Sequence, residues 1–170
     1  LKTAGYQTGM TGKWHLSELA LTTDSQQRIR WMDHQLDLGI PFADPATYPR
    51  RRGFDHYYGV IWGVVDYFDP FSLVHQDAEV KDVPSNFYLT DSITDYSVDY
   101  IHTFDKKDEA PFFLYVAYTA PHWPLHAKID DIQKYKGKYD AGWNELKINR
   151  FERQKEMKLF SQKTPIDPVI

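Results

Sequence analysis

Three side chains have the types and spacing that anion chemistry needs. Lys13 and His15 flank Trp14, and His122 sits in Thr119-Ala-Pro-His-Trp-Pro-Leu-His126. In a strand, residues two apart share a face, so Lys13 and His15 would address one space with Trp14 turned into the core. An ammonium beside an imidazole suits sulfate, phosphate or carboxylate, and a histidine near its ordinary pKa can also move a proton. Pro121 and Pro124 fix φ on either side of His122 and give it a stiff backbone. The plainer alternatives are an exposed lysine with an incidental histidine on a surface strand, and a proline-rich turn whose histidine caps core polar groups.

Other chemistries fit less well. Gly12-Lys13 looks like the end of a P-loop, GxxxxGK[ST]. The first glycine of that pattern would fall on Gln7, and Trp14 stands where the magnesium-holding hydroxyl belongs. No GxGxxG occurs, so nucleotide binding is a poor reading. His122 and His126 are four apart, but without a helix or a third ligand they do not make a metal site; no metal ligand is assigned in this chain. His34, His56, His75 and His102 read as surface or core histidines. The segment Gly53-Phe-Asp-His-Tyr-Tyr-Gly59, continuing to Gly63 and Asp66-Tyr67, reads as packing, with glycines marking bends or close backbone approach.

The composition bounds these readings. The 170 residues suffice for one domain with a sizeable core, and 42% hydrophobic with 16% aromatic residues argues for packed structure. A net charge of −4 leaves no broad basic face, so nucleic acid is not an expected partner. Arg50-Arg51-Arg52 reads as a solvated loop. With no cysteine there is no disulfide, thiolate metal site or cysteine nucleophile in this chain. No apolar run is long enough to span a membrane, and no signal peptide is recognisable. The first residue is Leu, and the expectation is an internal piece of a longer protein, a parent that would be periplasmic or secreted.

The elements that must position the three residues are α/β in pattern. Residues 1–5 predict a helix end closed by a glycine, and Thr8–His15 a strand or strand-to-loop passage. Residues 17–32 are mixed, helix or loop. Residues 39–53 predict an irregular surface segment, 54–62 a strand and 69–87 a loop. Thr90, Asp91 and Ser92 offer N-caps to a helix whose stripe is Ile93, Tyr96, Tyr100, Ile101 and Phe104, ended by Lys106–Glu109. Residues 112–118 form the strongest strand, with the continuous apolar character of a central strand buried on both faces. Residues 129–160 are helix-prone, broken at Gly137 and Gly142, with Trp143, Leu146, Phe151 and Met157 as a docking face. The fold expected is a central mixed, mostly parallel sheet flanked by helices. His122 would then stand beyond the carboxyl end of one strand and Lys13/His15 beyond another, where such folds bind ligands.

Taken in order, the segments resemble the sulfatase family. Leu1-Lys2-x-Ala-Gly-Tyr-x-Thr-x-x-x-Gly-Lys-Trp-His resembles the second sulfatase signature, departing from it slightly at Thr11. GFDHYYG at 53–59 and PFFLYVAYTAPHWPLHA at 111–127 resemble later arylsulfatase segments. Tyr139-Asp140-x-Gly-Trp and Arg150-x-x-Arg-Gln-Lys resemble the linker region of bacterial arylsulfatases. The resemblance implies an alkaline-phosphatase-like sulfatase domain, of which residues 1–170 are the central portion, incomplete at both ends. It implies that Lys13 binds a sulfate oxygen and steadies the nucleophile. His15 would hydrogen-bond the nucleophile and act as base when sulfate is released. His122 would bind substrate against the ester's leaving oxygen and help protonate it. The substrate would be an aryl or sugar sulfate ester. The family's formylglycine arises from a C/S-x-P-x-R motif that this chain lacks, and its calcium ligands have no match here. Asp130-Asp131 reads as a helix start. Both cofactor features would therefore lie outside the chain, and the isolated 170 residues should be inactive. The alternatives are a phosphatase or phosphodiesterase of the same superfamily, with a Thr or Ser nucleophile and two zincs, and a non-catalytic glycan-binding module stacking sugars on Trp14, Trp62 and Trp123.

Overall fold

Gln7-Thr-Gly-Met-Thr-Gly12 is poor in large apolar side chains, yet it forms the strand on which the sheet is built. In the computed structural model, which describes residues 1–18, 20, 24–106 and 110–167, β1 (Gln7–Gly12) lies between β2 (His56–Val60) and β5 (Phe112–Ala117). Both neighbours run parallel to it, Gly9 facing His56 and Gln7 facing Phe112. β3 (Leu73–His75) and β4 (Ala78–Glu79) continue the sheet beyond β2 as an antiparallel pair, giving the order β4-β3-β2-β1-β5. The chain is α/β with a mixed sheet, as its pattern predicts. The β3–β4 pair falls inside 69–87, expected as loop. Two short strands with few alternating residues give no period to read.

Alternation along the strands sorts the core onto two faces. Met10, Tyr57 and Val74 pack with Trp31, Phe42, Tyr48 and Phe71. Trp31 comes from α1 (Ser25–Met32), whose N-cap Asp24 accepts from the Gln26 and Gln27 amides. Residues 39–53 are mostly exposed, as expected of a surface segment, but Phe42, Ala43 and Tyr48 are buried, and short 3-10 turns form at Pro45–Thr47 and Pro49–Arg52. Arg50 of the basic run is tied to Asp77 at 2.7 Å.

The other face is covered by α2 (Leu89–Asp105). Leu89, Ile93, Tyr100 and Phe104 pack on Tyr58, Val60, Tyr67 and Leu73. Ser97 replaces Ile101 in the buried stripe: its hydroxyl meets that of Thr11 at 2.7 Å, while Ile101 is exposed. Thr90, Asp91 and Ser92 are not caps. The N-cap is Tyr88, without a side-chain cap, and the free Leu89 amide donates to the Tyr67 carbonyl at 2.8 Å. Lys106 is the C-cap, and residues 107–109 of the polar run lie outside the described residues.

β5 is an edge strand of this sheet, not a central one. Phe112, Phe113, Tyr115 and Val116 are all more than a third exposed. Its apolar run has the composition of a buried strand, but among the described residues only β1 pairs with it.

The contacts divide the chain into two compact units, Leu1–His126 and Ala127–Ile170. The second holds α3 (Ile129–Tyr135), with Asp130 and Asp131 in its first turn as expected, and α4 (Gly142–Glu156). Of the expected docking face, Trp143 and Met157 are exposed, and Phe151 packs on Phe160. No described helix is long and apolar enough to cross a membrane.

Candidate active site

β5, β1 and β2 run parallel, so their carboxyl ends lie on one edge of the sheet. The three segments that follow them carry His122, Lys13 with His15, and Trp62 with Gly63. The strand ends at Gly12, so Thr8–His15 is a strand-to-loop passage. Gly12 has φ +97°, and a Cβ there would overlap the Ala117 carbonyl, so only glycine allows β1 and β5 to stay paired through this turn. The chain then crosses between the neighbouring strands. The Lys13 amide donates to Ala117 O at 2.8 Å, the Trp14 amide to Val60 O at 2.9 Å and the His15 amide to Ile61 O at 3.1 Å.

Strand alternation therefore does not explain how Lys13 and His15 converge. His15 adopts φ +54°, a region uncommon for a side-chain-bearing residue and frequent at functional sites. Trp14 goes the other way, as expected. Its indole N–H donates to Thr47 O at 2.9 Å, and its ring packs against the first core face.

His15 stands with one side against the loop after β2. Its ring meets Trp62 edge-to-face at 5.9 Å, and a Cβ on Gly63 would overlap the imidazole. This partial desolvation, then the Lys13 ammonium, then His122, hold the His15 pKa below the ordinary histidine value. Burial and both neighbouring groups thus favour the neutral imidazole, the form that can accept a proton. His122 is exposed, its Nδ1 2.6 Å from the Trp123 carbonyl and its own carbonyl accepting from the Tyr67 hydroxyl at 2.8 Å.

His126 stays near the site but in another role. Its Nδ1 is 3.4 Å from the Tyr67 amide and 3.4 Å from Asp66 Oδ1. Asp55 is remote from this edge: its carboxylate binds Lys2 Nζ at 2.6 Å and the Thr8 hydroxyl at 2.9 Å. His56 faces Tyr100 and Phe104, and burial lowers the pKa of His75. Among the described residues no three His, Asp or Glu side chains gather to hold a metal.

A family model described as Sulfatase matches residues 1–163. The chain belongs to the sulfatase family. It is 30% identical to an arylsulfatase of Klebsiella aerogenes over 97% of its own length and 32% of that protein's. It is 28% identical to an uncharacterized sulfatase of Schizosaccharomyces pombe, covering 99% of this chain and 28% of that one. The solved structure of Ps i-CgsB in complex with k-i-k-neocarrahexaose superposes with a TM-score of 0.55 at 28% identity, over 79% of this chain and 28% of that one. The chain thus spans about a third or less of each of these sulfatases.

By sequence, Gly63 and Tyr67 read as packing and Trp62 as a sugar-stacking face in the glycan-binding alternative, none of them as a partner of His15 or His122. Gly63 lies 48 positions beyond His15, and only the parallel pairing of β1 with β2 brings them together.

Proposed function

We propose that this chain supplies the anion-binding and proton-transfer side of a sulfuric ester hydrolase active site. Lys13, His15 and His122 are its working residues, within a single catalytic domain of which these residues are the central portion. The observation that supports this most is the placement of Lys13, His15 and His122 on the segments that leave β1 and β5 at the carboxyl edge of three parallel strands, in a sulfatase-family chain.

Sulfate ester cleavage puts negative charge on the equatorial sulfuryl oxygens and on the leaving oxygen, and fixed cations and N–H donors stabilise both. Lys13 binds an equatorial oxygen. His122 faces the leaving oxygen and delivers a proton as the S–O bond breaks. His15, held neutral, accepts a proton on the nucleophile's side when sulfate is released. In the family this resemblance implies, formylglycine supplies the attacking hydroxyl. No C/S-x-P-x-R segment lies in these 170 residues, so that group would come from elsewhere in the protein. Calcium is likewise implied by resemblance, but the described residues do not compose a site for it, and no step is routed through it. The substrate is an aryl or sugar sulfate. Trp123, 68% exposed beside His122, offers a flat face to either leaving group.

The test is aryl sulfate hydrolysis by the full-length protein that contains this chain. Lys13→Ala and His122→Ala should each lower kcat/KM at least roughly tenfold, and the 170-residue chain alone should show no turnover. Wild-type rates in both variants, or turnover by the isolated chain, would overturn the assignment.

A further inference from the structure

The loop after β2 touches both histidines of the proposed site. At its start, Trp62 and Gly63 bound the His15 ring, and the Ile61 carbonyl accepts from the His15 amide at 3.1 Å. At its end, the Tyr67 hydroxyl donates to the His122 carbonyl at 2.8 Å, and Asp66 and the Tyr67 amide both meet His126 Nδ1. The loop is anchored over its length. The Ile61 and Trp62 amides donate to the Ser72 carbonyl and hydroxyl at 3.0 and 2.9 Å. Val65 and Tyr67 are buried in the α2-side core, Tyr67 only 1% exposed, and the Tyr67 carbonyl holds the first amide of α2.

We propose that residues 61–68 are a positioning element that sets the separation of His15 and His122, with Gly63 as the seat of the His15 ring and Tyr67 as the strap on the His122 backbone. The inference rests on the sulfatase reading only for its catalytic consequence. His15 and His122 are carried by strands β1 and β5, and both follow turns that leave the strand geometry. The His122 amide bonds to Thr119 O at 3.0 Å, and the Tyr67 hydroxyl, fixed on a buried ring, holds the His122 carbonyl as well. A misplacement of about 1 Å in such a pair costs up to about a hundredfold in rate.

The experiment follows histidine ring resonances through a pH titration of the 170-residue chain. His122→Ala removes a neighbouring cation and should raise the His15 midpoint. Tyr67→Phe deletes one hydroxyl and keeps the buried ring; it should shift the His15 midpoint in the same upward direction and move the His122 resonances, leaving His102 unchanged. Gly63→Ala should displace the His15 ring and move His15 more than Tyr67→Phe does. In the full-length protein, Tyr67→Phe should lower kcat roughly tenfold with KM nearly unchanged. The inference fails if Tyr67→Phe leaves His15 and His122 at their wild-type positions, or unfolds the chain, or shifts every histidine alike. If Tyr67→Phe moves His15 while Lys13→Ala and His122→Ala leave hydrolysis untouched, the positioning role stands and the sulfatase role of the site falls.

Discussion

β1 and β5 lie side by side in register over six residue pairs, and their sequences invert the usual relation between apolarity and burial. Phe-Phe-Leu-Tyr-Val-Ala is the most apolar strand, yet Tyr115 is 49% exposed and Phe113 42%. Gln-Thr-Gly-Met-Thr-Gly has one large apolar side chain, and Met10 and Thr11 are wholly buried. Apolar composition states what a strand gains when neighbours cover it; its place in the sheet decides whether this chain provides them. β1 has a strand on each side, the aromatic core on one face and α2 on the other. Among the described residues β5 pairs with β1 alone and leaves its outer edge open, the kind of edge that other β proteins cover or pair.

Substitutions should separate the two strands. The largest effect belongs to Gly12→Ala, where the added Cβ meets the Ala117 main chain and φ is +97°. Neither the backbone clash nor the left-handed conformation can relax without parting β1 from β5, so urea denaturation should show a loss of about 4 kcal/mol or more. The site would go with it, because Lys13 is the next residue. Met10→Ala comes second, leaving a cavity among Trp31, Tyr57 and Val74 that costs about 3 kcal/mol. Tyr115→Ala, on the adjacent strand and opposite Met10 in register, should cost less than about 1 kcal/mol in this chain. Equal losses at Met10 and Tyr115 would show that β5 is covered in solution.

The same contrast shows what was legible in the sequence. Local chemistry was: the glycine that closes the first turn, the strand at 112–117 and the helix beyond residue 88. Quantities set by distant parts of the chain were not. The burial of β5 depends on which strands exist beyond it. Ser97 enters the core in place of Ile101 because Thr11, 86 positions earlier, offers it a hydroxyl. Lys13 and His15 were paired by strand alternation, but the structure ends the strand at Gly12 and brings His122 to the same imidazole by a turn. Gly63 reads as a bend or a close backbone approach, and which ring sits against it is not visible until β2 is laid against β1.

The smallest expected effect sharpens the comparison from the far edge of β1. Where the strand begins, the Thr8 amide and hydroxyl donate to Asp55 Oδ2 at 3.1 and 2.9 Å, and Lys2 reaches Asp55 Oδ1 at 2.6 Å. Burial acts to raise the Asp55 pKa, but the hydrogen bonds from Lys2 and Thr8 outweigh it, and the carboxyl sits below its ordinary value. A carboxyl depressed in the folded state stabilises the fold above its unfolded pKa of about 3.9, and this contribution fades as the pH falls through the folded value. Asp55→Asn should therefore be least stable relative to wild type near neutral pH, with the difference closing below about pH 4. Both charged partners are more than a third exposed, and exposed pairs contribute only about 0–1 kcal/mol, weakened by salt. The amide and hydroxyl donors from Thr8 are less screened, so high salt should remove only part of the difference. A gap between the two proteins that stays constant from pH 7 to pH 3 would show that Asp55 holds the start of β1 by shape alone and not by charge.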